Sequence, residues 1–241
     1  DNLAIGYAAL GGAINGGEYN VAIGNYSLDA NTTGDWNIGI GYGTLGANTT
    51  GQDNVAIGVT ALAANTTGNN NTATGSDALK ANTTGSSNDA MGGGTLGANT
   101  TGSNNTAMGS GALAGNTTGA GNISFGIGSG DLITTGTNNV ILGFAADASV
   151  AAGTNQIVIG KSATGQGNNY AVIGNADITR LYAAQDGAGV LYANGTIQSS
   201  DRRIKKEIND LAYGLSFIKR LRPVSYYKLN PQDYPQELKD K

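Results

Sequence analysis

The sequence predicts an all-β solenoid: a parallel β-roll of 17-residue coils over residues 1–175, a short β-rich neck over 176–199, and an α-containing segment over 200–241. Three observations predict it. Asn recurs at positions 20, 37, 54, 71, 88, 105, 122 and 139, with Gln156 in the next slot, always 17 residues apart. Gly follows four positions later each time, from Gly24 to Gly160, and a second Gly closes each unit from Gly34 to Gly153. Between them stand Leu28, Leu45, Leu62, Leu79, Leu96 and Leu113, and the tetrapeptide NTTG occurs six times. A polar, Gly-rich tract without such a register would read as disordered. A fixed period of this length reads as a solenoid.

Each part of the unit has a physical assignment. NVAIG, NIGIG and NTAMG alternate large and small side chains, which is the period of a strand. Seventeen residues are too few for a strand plus a proper helix and suit two short strands and two turns. Val21, Ile23, Val55 and Ile57 share one face, and Ala22 and Ala56 the other, where small side chains let a second backbone layer approach. In NTTG the Asn caps its own backbone and the Gly is expected to accept positive φ. The entry unit at Asn2 is one residue longer than the rest, and the step from Gly160 to Gly174 is 14 residues. Stacked at the inter-strand spacing of about 4.8 Å, ten or so coils make a rod on the order of 50 Å long. About three sizeable apolar side chains per coil do little against roughly 1–2 kcal/mol of backbone entropy per residue. Such a coil should therefore seek burial against identical copies.

Composition narrows the function. The chain has no Cys and no His. This excludes a disulfide framework, thiolate chemistry, His-based acid–base catalysis and ordinary zinc sites. A net charge of −4 argues against nucleic-acid binding through the bulk surface. The apolar run beginning at Val140 stops at Asp147, far short of a bilayer span. No cofactor, metal site or membrane insertion is expected. No signal peptide is visible, and Asp1 inside a repeat reads as the start of a cut fragment.

Some motifs mislead. Gly41-Gly43-Gly46 and Gly92-Gly94-Gly97 match G-x-G-x-x-G, but both fall at one phase of the repeat and lack the helix and acidic residue that a dinucleotide needs. The NTT triplets are formal N-glycosylation acceptors, yet their strict phase favours turn chemistry. Asp29, Asp35, Asp53, Asp77 and Asp89 fall at scattered phases and make no shared cation cage.

NVAIGNYSL and NNTAMGSGAL, with the repeats around them over roughly residues 1–175, resemble the head repeats of trimeric autotransporter adhesins (the YadA-like head). The same repeats occur in phage tail fibres. The resemblance implies a left-handed parallel β-roll assembled as a homotrimer, although the 17-residue unit is longer than that family's usual one.

From Asp177 the repeat is gone. ITRLYAAQDGAGVLYANGTIQSS reads as short strands with turns at Asp186-Gly187 and Asn194-Gly195. Then SSDRRIKKEI brings Arg202, Arg203, Lys205 and Lys206, whereas residues 1–175 hold only Lys80 and Lys161 as positive side chains. Leu211, Leu215, Ile218 and Leu221 follow at helical spacing, with Lys219, Arg220 and Arg222 in the last turn. Pro223 ends the helix and VSYYKL reads as a strand.

This order of cluster, helix and LRPVSYYKL resembles the C-terminal intramolecular chaperone domain of phage tailspikes, tail fibres and endosialidases, which trimerises the fibre and cuts itself off. The resemblance implies Ser200 as nucleophile, Lys205 as general base, and Asp201 and Arg203 as supporting motif residues, with the cut between Ser199 and Ser200. That domain normally runs on beyond QELKDK, so residues 200–241 are expected to be its N-terminal part, truncated. Lys205 must lose much of its usual pKa of about 10.4 to act as a base. Like-charged Arg202, Arg203 and Lys206 push it in that direction. Residues five apart on a helix sit about 140° around its axis. Ser200 therefore precedes the helix, or the Lys comes from another subunit. Without the resemblance, the same residues read as a helix cap and a solvated basic turn.

The expected protein is a structural, adhesive homotrimeric fibre, of a phage or phage-like tail, located on a virion or extracellularly. Its expected partners are two further copies of itself and a host glycan or protein receptor. Enzyme activity is limited to single-turnover autoproteolysis. A bacterial trimeric surface adhesin is the alternative, and a secreted enzyme on a solenoid scaffold is disfavoured because no carboxylates converge on one face.

Overall fold

The structure is a computed structural model, and it describes residues 1–12, 16–179 and 181. The repeat builds one parallel β-solenoid of about ten turns, with no helix among the described residues. Eleven strands of three residues each, β1 (Leu3–Ile5) through β11 (Ala171–Ile173), pair strictly in sequence order. The 17-residue step is also the pairing register: Val21 lies beside Ile38, Ile38 beside Val55, and Val140 beside Ile157. The long entry unit pairs Leu3 with Val21, and the short last step pairs Ile157 with Ala171.

Each coil has one strand among its described residues, where the sequence pattern suits two. The rest of the coil is still hydrogen-bonded to its neighbours, as in Leu28 N–H to Thr44 O at 2.9 Å and Thr32 N–H to Thr49 O at 3.0 Å. What breaks the extended conformation is a pair of left-handed residues, for example Tyr26 at φ 60° and Leu28 at φ 52°. Leu recurs in this conformation in seven coils, from Leu10 to Leu113, although an L side chain there costs about 1 kcal/mol or more. The turn aims the Leu inward: Leu10 in the entry coil is buried, and the other six are completely buried.

The interior is therefore narrow. The small strand residues Ala22, Ala56 and Ala73 point in and are fully buried. A Cβ added to Gly39, in the same position, would meet the hydroxyls of Ser27 and Thr44 and the side chain of Leu28. Ala and Leu thus close the core from opposite walls.

Two Asn columns complete it. In the first, each Asn donates Nδ2 to the Oδ1 of the coil before and to the closing Gly carbonyl of its own coil. Asn54, for example, reaches Asn37 Oδ1 at 3.0 Å and Gly68 O at 2.9 Å. The same Oδ1 also accepts the Asn54 backbone N–H at 3.1 Å. The second column is the Asn of NTTG: Asn65 Nδ2 donates to Asn48 Oδ1 at 2.9 Å and to Gly68 O at 3.0 Å. Buried amides are tolerable because the stack satisfies them, and chained bonds reinforce one another.

The Gly of NTTG has a different role from the one its turn chemistry predicts. Positive φ belongs to the Gly that ends each strand, such as Gly24 at 131° and Gly41 at 136°. Gly51 is required by close approach: a Cβ there would stand 2.5 Å from the Gly68 carbonyl oxygen of the next coil.

Candidate functional site

Strand alternation that sends Ala inward sends its two flanking residues outward. One wall of the rod consequently carries the side chains of Val21, Ile23, Ile38, Ile40, Val55 and Ile57, continued further along by Met108, Ile123, Phe125 and Ile157. They are half-buried or exposed, with Met91 50% and Ile173 54% accessible. An apolar stripe of this length on one face marks an interaction surface. In the middle it turns polar, where Asp89 lies between Thr72 and Thr106 on adjacent strands. These residues line a shallow concavity of about 240 Å³ with Met91 and Met108.

Aromatic side chains flank the stripe in the first coils. Tyr19 and Trp36 stack at 4.2 Å between centroids, with their planes 16° apart. On the other side of the strands, Tyr26 meets Tyr7 edge-on at 5.5 Å and Tyr42 at 5.7 Å. Sequence reading did not single these residues out. The signal was available, since Tyr19 and Trp36 occupy one slot of consecutive 17-residue units.

Charges on the rod are few. Asp77 accepts a hydrogen bond from the Thr60 hydroxyl at 2.6 Å and pairs with Lys80 at 2.9 Å. The hydroxyl first, then the ammonium, hold its carboxyl below the usual value. Burial, followed by the neighbouring Asp131, pushes Asp147 up to about 7. No group of three or more potential metal ligands occurs among the described residues. Neither G-x-G-x-x-G match opens a helix, and both lie in turns after strands. The NTT asparagines from Asn31 to Asn116 are fully buried in their column, so their amides are inaccessible as glycosylation acceptors. No described helix is long and apolar enough to cross a membrane.

Ser200, Asp201, Arg203 and Lys205 lie outside the described residues, as do the expected neck strands after residue 181 and the helix with its following strand. For this part of the chain the family comparison is informative. Residues 200–239 match the family described as the chaperone of endosialidase. The matched segment starts at Ser200 and takes in Lys205, Pro223 and the residues VSYYKL. No curated protein and no solved structure matches the chain. The chain is thus a parallel β-solenoid followed in sequence by a segment that matches the endosialidase chaperone family.

Proposed function

We propose that this chain is the distal part of a homotrimeric fibre, of a phage or phage-like tail, which attaches to a host surface. The carrying observation is the chaperone match at residues 200–239 behind a solenoid. The apolar wall exposed among the described residues supports the trimer, because each regular coil buries one Leu and leaves its larger strand side chains for a partner. The resemblance of the repeats to YadA-like heads is consistent with the same reading.

The chaperone segment templates the trimer and then leaves. Ser200 Oγ attacks the carbonyl carbon of Ser199 while neutral Lys205 takes the hydroxyl proton and delivers it to the departing Ser200 nitrogen. An ester between Ser199 and Ser200 Oγ results. Water hydrolyses it to a Ser199 carboxylate and a segment that begins with the free amine of Ser200. Loss of the template makes the assembled rod kinetically hard to reverse.

Light scattering and a denaturing gel of the full-length protein test both parts. The folded rod should have a trimer mass, and the gel should show two pieces whose smaller one begins at Ser200. Ser200→Ala should give a trimer of uncut chains. A monomeric rod sinks the fibre, and equal cleavage in wild type and Ser200→Ala sinks the dyad.

A further inference from the structure

The Tyr19–Trp36 stack is poorly explained by folding. Trp36 is the sole Trp of the chain and is 56% accessible, and Tyr19 is 43% accessible. Later coils fill the same slot with Asp53, Asn70, Ser87, Asn104, Gly121, Asn138 and Asn155, and stack without an aromatic there. The slot needs a left-handed backbone (φ 59° at Tyr19, 58° at Trp36), which Asn and Gly adopt more easily than a bulky ring. A large apolar residue at a strained, exposed corner is better explained by what it contacts outside the coil.

We infer that Trp36 is the stacking platform of a binding site for a neutral saccharide. Tyr19 covers the indole on one side. On the other side the next coil offers the short Asp53 in register, and Trp36 is 56% accessible, which leaves ring surface for a ligand. Ring faces attract C–H groups that carry partial positive charge, as on the apolar face of a pyranose. Asp53 and Gln52 are exposed beside that face, and Asp35 is half-exposed, as oxygen acceptors for sugar hydroxyls.

Charge selects within ligand classes. The cations of the described coils are Lys80 and Lys161, both remote in sequence from the first two coils, while Glu18, Asp35 and Asp53 carry negative charge around the stack. Phosphate, sulfate and acidic sugars are therefore disfavoured. A cationic ligand would be drawn by the carboxylates, but recognition of an ammonium uses rings set around one point. Here two rings lie parallel on each other. The site deepens the attachment reading proposed above and rests on it for its biological partner. One site of this size binds weakly, and repetition on a multimeric fibre raises the apparent affinity.

Trp36 is the single Trp of residues 1–241, so emission excited beyond tyrosine absorption reports this residue alone in that chain. Neutral gluco-, galacto-, manno- and N-acetylhexosamine oligomers are titrated into the chain of residues 1–241, with a Lys-rich peptide and a sulfated glycan as controls. At least one neutral oligomer should change Trp36 emission saturably. In calorimetry its binding should disappear in Trp36→Ala and weaken roughly tenfold in Asp53→Ala, with the circular-dichroism melt of the rod retained. Silence across the neutral panel overturns the site, as does a response confined to the peptide or the sulfated glycan. Saccharide binding unchanged in Trp36→Ala also overturns it. A chain that binds saccharide through Trp36 yet is monomeric keeps the site and removes the trimeric fibre.

Discussion

Coils from Asn20 to Gly119 and coils from Asn122 to Gly160 enclose the same narrow interior with different side chains. In the first group the turn supplies Leu and the strand supplies Ala or Gly. In the second group the Leu slot holds Gly130 and then Asp147, while the strand carries Ser124, Ile141 and Val158, all completely buried. The apolar volume has moved from the turn wall to the strand wall. At Gly130 the exchange is visible, since an added Cβ would touch Leu113 at 3.0 Å and Ile133 at 3.6 Å. Backbone register survives the change: Thr117 N–H reaches Thr134 O, and Thr134 N–H reaches Ala151 O. The coil is thus specified by its backbone ladder and glycines, and the core needs only the right total volume.

The NTTG column shows what the exchange costs. It runs from Asn31 to Asn116 and stops where Ile133 takes the slot. Ile has no donor, and Asn116 Oδ1 is buried without a hydrogen-bond partner among the described residues. Substitutions within the column should therefore be unequal. In Asn82→Leu, Asn65 Oδ1 and Gly85 O lose a donor and Asn99 Nδ2 loses an acceptor. Asn116→Leu orphans Asn99 Oδ1, leaves Gly119 O with its second donor Asn105 Nδ2, and removes an acceptor that is already unpaired. The expected cost is about 2–5 kcal/mol at Asn82 and at least about 1 kcal/mol less at Asn116. Chemical denaturation of both variants measures the difference, and equal losses would show that the column is not cooperative.

A second, smaller test rewrites the irregular coil in the regular code. Ile133→Asn alone extends the column but empties space beside Gly130. Gly130→Leu alone crowds Ile133. Each should cost about 1–3 kcal/mol. Gly130 already has φ 68°, close to the 50–52° of the completely buried Leu residues, so the backbone is prepared. Together the two changes should recover most of the loss, with a favourable coupling of about 1–3 kcal/mol in a double-mutant cycle. Additive losses would mean that the two coil types differ in more than filling.

Much of this was legible in the sequence, and the missing parts share a cause. The spacing of Asn and Gly gave the coil count, the register and the parallel stacking, because all three follow from one period. The period also separated Ala from Val and Ile, but could not say that the larger set faces outward. That depends on how little room a 17-residue coil encloses. The single strand per coil was hidden because Leu28 and its equivalents adopt positive φ, which no propensity assigns to Leu. Position in the repeat likewise pointed to NTTG turns, whereas the reason for the Gly is the carbonyl of the next coil. Ser200 and Lys205 were expected from the family resemblance, and the family match over 200–239 covers their positions without describing their geometry or roles.

The smallest expected effect is a pH response confined to the irregular coils. Asp147 occupies a slot that Leu fills elsewhere, and it is half-buried. Its Oδ2 accepts the Leu132 N–H at 3.0 Å and Oδ1 the Ala148 N–H at 2.8 Å. Those two bonds favour the carboxylate, yet burial and then Asp131 outweigh them and raise its pKa to about 7. A carboxyl raised in the folded state contributes stability that is complete below its unfolded value, near 4. That contribution is lost as pH rises through about 7. The irregular coils should therefore exchange backbone amides more slowly at pH 5 than at pH 8, after correction for intrinsic exchange. The regular coils from Asn37 to Gly119 should be comparatively indifferent. Asp147→Asn keeps the shape, cannot ionise, and should remove the dependence. Asp131→Asn should reduce it, because burial acts first and the neighbouring carboxylate second. Solvent screening at a half-buried group keeps any shift in the melt to a few degrees at most. Protection of the irregular coils that rises from pH 5 to pH 8, or that is unchanged by Asp147→Asn, would place the titrating group elsewhere.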